Sequence, residues 1–237
     1  MSDHDVAIVT GASSGIGRAT ALLLAERGMR VVAVARRSAR LDELRSEAAG
    51  DVVCCPADVT SPGSAESIVS TAREVGSIRA AVCNAGFGVK APVLEGDPSD
   101  WREMFEVNVL APLQLVAAAA PSMRNGSTIV LVSSIAGLRG LPGEAVYCAT
   151  KAAVNSLGES LRLELQGRGI RVVTLCPGTV RTEFELRSMS VEAARTLYER
   201  QGPVEPEEVA ELIATAIGQP DNVSLGRLDV RPLNQLV

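Results

Sequence analysis

Val6-Ala7-Ile8-Val9-Thr10 runs directly into Gly11-Ala12-Ser13-Ser14-Gly15-Ile16-Gly17, and that join decides the fold. The first five residues are apolar or β-branched and read as a short buried strand, while residues 15–27 carry a helical pattern. The glycines between them suit a dinucleotide-binding turn. Gly11 permits the tight turn, Gly15 lets the backbone approach a pyrophosphate, and Gly17 lets the helix pack close to the strand. Ser13, Ser14 and Ile16 complete the loop, and the free N–H groups at the helix start face the phosphate charge. The spacing is G-x-x-x-G-x-G rather than G-x-G-x-x-G, and no Gly-Lys-Ser/Thr follows, so it fails as a P-loop.

The same alternation continues along the chain. Apolar runs at 31–35, 52–55, 80–83, 128–133, 172–176 and 228–230 are separated by helical patterns at 39–48, 62–75, 99–122, 146–167 and 206–218. This predicts βαβ units in an α/β, doubly wound Rossmann-type fold, with a seven-stranded, mainly parallel sheet and helices on both faces. With 237 residues, 46% of them hydrophobic, the chain suits one catalytic domain over 1–237. The segment Arg181 to Pro206 is long for a connection; it reads as a substrate lid at about 181–206 or as a pair of surface helices.

Composition excludes several function classes. Only 3% of residues are aromatic and the net charge is −5, which disfavours a nucleic-acid partner. Five cysteines form no C-x-x-C pair and read as small buried hydrophobes in a reducing compartment, without disulfide or metal site. The single histidine, His4, lies near the N-terminus, so Ser-His-Asp and His-metal mechanisms lack their histidine. The acidic start Met1-Ser2-Asp3-His4-Asp5 is no signal peptide. Val109 to Met123, interrupted by Pro112, Gln114 and Pro121, falls short of a membrane span, so neither membrane nor nucleic acid is expected as a partner and the chain is expected to be cytoplasmic.

Only two of the 23 basic residues are lysines, and one of them, Lys151, follows one of only two tyrosines, Tyr147, by four positions. On a helix this puts phenol and ammonium on one face, where the charge favours the phenolate and draws its pKa toward neutrality, as an acid/base acting on alcohols or carbonyls requires. An exposed helical pair without chemistry has the same spacing. The second strand ends in Arg36-Arg37 where a carboxylate for a ribose 2′-hydroxyl could stand. Arginine there can pair with a 2′-phosphate, so NADP is expected over NAD; the alternative is a basic approach to a surface helix. Asp58-Val59 is either an N-cap region or an adenine contact.

With Asn84-Ala85-Gly86 after the fourth strand, Asn108 in the long fourth helix, Ser133-Ser134-Ile135-Ala136-Gly137 after the fifth strand and Pro177-Gly178 after the sixth, the chain resembles the short-chain dehydrogenase/reductase family over nearly its whole length. The resemblance implies that Tyr147 is the acid/base, that Lys151 lowers its pKa and binds the nicotinamide ribose, and that Asn108 holds a water in a proton relay. It gives the substrate-orienting role to Ser133 or Ser134, the family spacing favouring Ser134. It further implies that Asn84, Ala85 and Gly86 line the adenosine side, that Pro177, Gly178, Val180 and Thr182 lie at the nicotinamide, and that the protein is a homotetramer or homodimer. Taken residue by residue, Asn108 could be a helix-interior polar group and the serine pair a strand-end cap. Pro177 to Phe184 and Arg231 to Gln235 further resemble the 3-hydroxy acid and clavaldehyde dehydrogenase subgroup.

The sequence therefore predicts an NADP-dependent oxidoreductase interconverting a secondary alcohol and a ketone or aldehyde, with a small-molecule hydroxy acid or aldehyde as a candidate substrate. The alternative is a non-catalytic NADP-binding regulator. A nucleotide-sugar epimerase would need a larger substrate domain than follows Pro177. Ala136, Leu138, Leu141, Phe184 and Met189 are the expected pocket residues. For an acidic substrate Arg187 is expected to meet the carboxylate, and Arg139 to face solvent.

Overall fold

Each apolar run becomes a strand in the computed structural model, which describes residues 4–235. The strands are β1 (Asp5–Thr10), β2 (Arg30–Ala35), β3 (Val52–Pro56), β4 (Ser77–Cys83), β5 (Thr128–Val132), β6 (Arg171–Pro177) and β7 (Arg227–Val230). They form one sheet in the order β3-β2-β1-β4-β5-β6-β7, and every neighbouring pair is parallel. The ends of the domain expected over 1–237, residues 1–3 and 236–237, lie outside the described residues.

Among the described residues eight α-helices connect them: α1 (Gly15–Glu26), α2 (Ser38–Glu47), α3 (Ser64–Val75), α4 (Pro98–Phe105), α5 (Ala111–Ala119), α6 (Ala145–Leu165), α7 (Val191–Gln201) and α8 (Pro206–Ile217). Strand residues alternate between faces, so an all-apolar strand feeds two cores. Ala7 and Val9 of β1 pack with α1, α2 and α8, while Val6 and Ile8 pack with α3, α5 and α6. Both cores are built from small branched residues, which allows helices to lie close to the sheet. The strand order reverses between β1 and β4, and a ligand crevice is expected outside the carboxyl ends of those strands.

The expected helix at 99–122 is not uniform. A π-helical turn, Glu106–Leu110, joins α4 to α5, and Ala120–Ser122 closes the run as a 3-10 turn. The wider turn brings Asn108 and Val109 inward together. Joined in this way, Pro98–Ser122 is a 25-residue helical run holding an 18-residue window of mean hydropathy 1.3, long and apolar enough to cross a membrane, which the reading of Val109 to Met123 alone did not allow. In this fold it is a core helix, with α5 packed on α3 and β4. The segment after β6 is also helical, holding a 3-10 turn, Glu183–Arg187, and then α7.

Helix α6 carries Tyr147 and Lys151 in its first turns. Its distance from the sheet is set at Gly158, where a β-carbon would stand 2.0 Å from Thr174 Oγ1. Gly158→Ala should therefore cost about 1–3 kcal/mol net, the strain exceeding the ~1 kcal/mol that alanine gains in helix propensity. A thermal melt should show a drop of several degrees, largely recovered when Thr174→Ala is added. An unchanged melting temperature in the single variant would show that α6 is not held by this contact.

Candidate active site

Gly11 and Gly15 adopt left-handed backbone, with φ of +68° and +53°, as the tight turn after β1 requires. The loop is tied to β4 by Thr10 and Asn84. The Thr10 hydroxyl donates to Val82 O at 3.3 Å and accepts from the amides of Asn84 and Ala85 at 3.0 and 3.1 Å. Asn84 Nδ2 donates back to Thr10 O at 2.9 Å. A β-carbon at Gly17 would meet both Gly11 O and Asn84 Nδ2 at 2.4 Å, so this crossing admits only glycine. The side chain of Asn84 is thus spent on the loop, and within Asn84–Gly86 it is Ala85 that lines the crevice. Ala85 borders an apolar cleft with Val59, Ala65, Ile68 and Val107 beside Thr10.

Arg37 reaches the same loop. Its guanidinium donates to Ser13 Oγ at 2.9 and 3.1 Å, to Ser14 Oγ at 2.9 Å and to Glu183 Oε2 at 3.0 Å. Ser14, the N-cap of α1, makes no cap bond of its own. Arg36 is largely exposed, with Nη1 3.8 Å from Asp58 Oδ2. Asp58 organises a turn rather than capping α3, whose N-cap is Gly63. Hydrogen bonds from the Thr60 amide and hydroxyl hold its carboxyl below the usual range.

Asn108, Ser134, Tyr147 and Lys151 converge at the carboxyl ends of β4 to β6. Lys151 is 5% exposed and donates to Val132 O at 3.0 Å; its Nζ lies 5.8 Å from the centre of the Tyr147 ring. Ser134 Oγ lies close enough to the Tyr147 phenol to favour its ionised form, accepts from Ala136 N at 3.1 Å and donates to Pro177 O at 3.5 Å. Ser133 turns away, donating to Lys151 O at 3.0 Å, so only Ser134 faces the phenol. Asn108 exchanges bonds with the Phe87 main chain, accepting at 3.0 Å and donating at 2.8 Å, and donates to Thr150 Oγ1 at 3.1 Å. Both its amide hydrogens are engaged, so a water on Asn108 would have to donate to its side-chain or main-chain oxygen. Gly86 fits against Asn108 Oδ1 and Lys151 Nζ, where a β-carbon would stand 3.0 and 3.4 Å away.

The expectation that Lys151 draws the phenol toward neutrality does not hold in this geometry. Burial raises the Tyr147 pKa, against a lowering by the nearby Ser134 hydroxyl, and the charges of Glu144 and Glu185 raise it further. Burial also lowers Lys151 to about 8. Both effects have one cause: the neutral forms are favoured in a site walled by Phe87, Met104, Ala136 and Cys148, with Phe184 and Leu141 at its edge. Phe184 lies 5.5 Å from the Tyr147 ring, tilted by 52°. Of the expected pocket residues, Ala136, Leu141 and Phe184 join this wall; Leu138 is exposed and Met189 lies outside it.

The remaining expected residues are divided in use. Thr182 packs on Gly15 and accepts from Phe184 N at 3.2 Å. The Val180 side chain is packed in a sheet core with Val204, and Gly178 is covered by Gln235 and Arg231. Arg187 stacks on the Phe87 ring at 3.6 Å and pairs with Glu103 at 3.0 Å, so it is already engaged. Arg139, expected to face solvent, instead has Nε and Nη2 buried without a partner. Thr10, Thr150, Phe87, Lys90, Glu144 and Glu185 are site components that motif reading missed, although Lys90 stood out as the second of two lysines.

A family model described as short chain dehydrogenase matches residues 5–192. An uncharacterized oxidoreductase of Listeria monocytogenes is 37% identical, over 98% of each chain. Sulfoacetaldehyde reductase 2 of Chromohalobacter salexigens is 35% identical over 98% of this chain and 95% of its own. Among solved structures, the closed form of serine dehydrogenase complexed with NADP+ superimposes with a TM-score of 0.90 at 29% identity, covering 94% of this chain and 93% of that one.

The buried ammonium of Lys151 gives a test of the site's polarity. Its folded pKa of about 8 lies below the ordinary value of 10.5, so the unfolded chain binds more protons between those limits and the Lys151 contribution to stability rises with pH there. Denaturant titrations without added cofactor should show wild type gaining on Lys151→Met as pH rises from about 8 toward 10. A difference independent of pH would place the ammonium in contact with water.

Proposed function

The chain belongs to the short-chain dehydrogenase family, and from that membership we propose an NADP(H)-dependent oxidoreductase interconverting a secondary alcohol and a ketone or aldehyde, with Tyr147 as acid/base. The observation that carries this reading is the convergence of the Ser134 and Tyr147 hydroxyls beside Lys151 and Asn108.

The residues at the glycine loop fit NADP. No carboxylate stands at the end of β2, the Arg37 guanidinium is fixed by two serine hydroxyls and Glu183, and Gly11 and Gly15 take the left-handed backbone of a tight phosphate-binding turn. Gly11 to Gly17 would hold the pyrophosphate, Arg36 and Arg37 the 2′-phosphate, and Asp58, Val59 and Asn84 to Gly86 the adenosine. Lys151, Tyr147, Pro177, Gly178, Val180 and Thr182 would hold the nicotinamide half. When bound, NADP(H) accepts or supplies the hydride.

The chain's own groups handle the proton. Ser134 donates a hydrogen bond to the carbonyl oxygen and stabilises its developing negative charge. Tyr147 passes its hydroxyl proton to that oxygen during reduction and takes it back during oxidation. A phenol kept protonated by burial is ready for reduction. Phe184 and Phe87 keep water from the reacting centre. The same four interlocked groups weigh against a non-catalytic NADP-binding regulator, which has no use for them.

The pocket wall suits a small, mainly apolar carbonyl compound. A hydroxy acid would have to take Arg187 from Glu103 or use the unpartnered Arg139. An aldehyde or ketone without a carboxylate is the better fit.

NADPH oxidation followed with a panel of aldehydes, diketones and β-keto acids should give higher kcat/KM for uncharged carbonyls; β-keto acids as the best substrates would overturn that preference. On an active substrate Tyr147→Phe should lower kcat by roughly 10²–10⁴-fold with little change in NADPH affinity. Near-normal kcat would remove Tyr147 from the acid/base role. Arg37→Ala should cost about 1.5–3 kcal/mol in NADPH binding while sparing NADH, measured by titration of the cofactor's fluorescence. Equal affinities for NADPH and NADH in the unaltered protein would refute the 2′-phosphate assignment.

A further inference from the structure

The second lysine lies beside the first one's site. Lys90, in the loop after β4, places Nζ 2.9 Å from Glu185 Oε2 and 3.3 Å from Glu144 Oε1. Glu185 lies in the 3-10 turn that follows β6, next to Phe184, and Glu144 is the N-cap of α6, three residues before Tyr147. Main-chain bonds reinforce the junction. Lys90 N donates to Ser188 Oγ at 3.1 Å, Ser188 Oγ donates to Gly88 O at 3.2 Å, and Ala91 N donates to Gly143 O at 2.8 Å. Three segments distant in sequence are thereby held together around the phenol. At their centre Gly88 leaves room for both rings: a β-carbon there would stand 3.0 Å from Tyr147 Cδ2 and 3.1 Å from Phe184 Cζ.

Other ion pairs also fasten the segment after β6, but they are weaker anchors. In Arg37–Glu183, Arg187–Glu103 and Arg181–Glu205 both side chains are 38% exposed or more, and such pairs are screened and contribute little. In the Lys90 cluster the exposures are 30% for Lys90, 17% for Glu144 and 11% for Glu185. Water screens these charges less. One ammonium also separates two carboxylates: without it, Glu144 and Glu185 face each other as like charges across the joint between the 3-10 turn and α6. A compact ammonium with three donors suits that bridge.

We propose that Lys90 is a positioning residue, bridging Glu185 and Glu144 so that the Glu183–Ser188 segment stays against the start of α6 and Phe184 stays on the Tyr147 ring. The proposal rests on the reading of Tyr147 as acid/base, but its first readout does not need turnover. In the NADPH-bound protein, Lys90→Met should speed hydrogen exchange at the amides of residues 183–189 by about tenfold or more, and Lys90→Arg should bring it most of the way back. Glu185→Gln should act in the same direction, and the double variant should be little worse than Lys90→Met alone, which already lacks the Lys90–Glu185 contact.

On an active substrate Lys90→Met should raise KM and lower kcat, with kcat/KM falling by about 10–100-fold, acidic and neutral substrates alike. A merely structural loss would reduce the active fraction and leave KM unchanged. Unaltered exchange overturns the bridge, whatever the kinetics. Faster exchange with unchanged kcat/KM overturns the positioning role, and a loss confined to acidic substrates reassigns Lys90 to substrate binding. Activity surviving in Tyr147→Phe would defeat the acid/base reading alone, since the exchange result stands apart from it.

Discussion

The site depends on one crossing, where the loop after β1 passes the end of β4. The Thr10 hydroxyl makes three hydrogen bonds to the end of β4, Asn84 returns a hydrogen bond to the Thr10 carbonyl, and Gly17 contributes no side chain at all. Buried polar groups are tolerated because each finds a partner. The consequence is a fixed distance between β1 and β4 at the reversal of strand order. Everything that lines the crevice, from Arg37 on the serine hydroxyls to Ala85 at the apolar cleft, takes its position from there.

Around this crossing the fold separates two kinds of environment. The loop side is polar, with Arg37, Ser13, Ser14 and Glu183 linked at the surface. The side beyond β4 is apolar, and its small cluster of Phe87, Met104, Ala136, Tyr147 and Cys148 is distinct from both sheet cores. A titratable group in or beside that cluster loses hydration without gaining an opposite charge, which is why the phenol of Tyr147 and the amine of Lys151 both favour their uncharged forms. Charge stays at the rim, with Lys90, Glu144 and Glu185.

The fold was legible because its signals are local. Each strand is a short apolar run, each crossover a periodic segment, and the glycine loop joins the first of each; the π turn in 98–122 escaped, since a 3.6-residue period does not register one additional residue. The site was legible as far as motifs reach: Ser134, Tyr147, Lys151 and Asn108 do meet. Their partners were not. That Asn84 ties the loop depends on a residue 74 positions away, and that Arg187 is taken up by Phe87 and Glu103 depends on packing between distant segments. The direction of the Tyr147 shift likewise depends on how tightly Phe184 covers the ring, which no spacing encodes.

The π turn at Glu106–Leu110 has a consequence for how such a chain can evolve. A helix of this kind carries one more residue than its α-helical frame needs, so its two halves present their apolar faces in different phases. Exchanging a side chain in α5 alters one contact, but removing one residue from the turn would rotate all of Ala111–Ala119 by about 100°, taking Leu115 and Val116 out of the core they fill. Drift in residue identity is therefore open to this stretch of the chain, while drift in its length is closed. The register that sets Asn108 beside Phe87 is inherited as a count of residues more than as a choice of them.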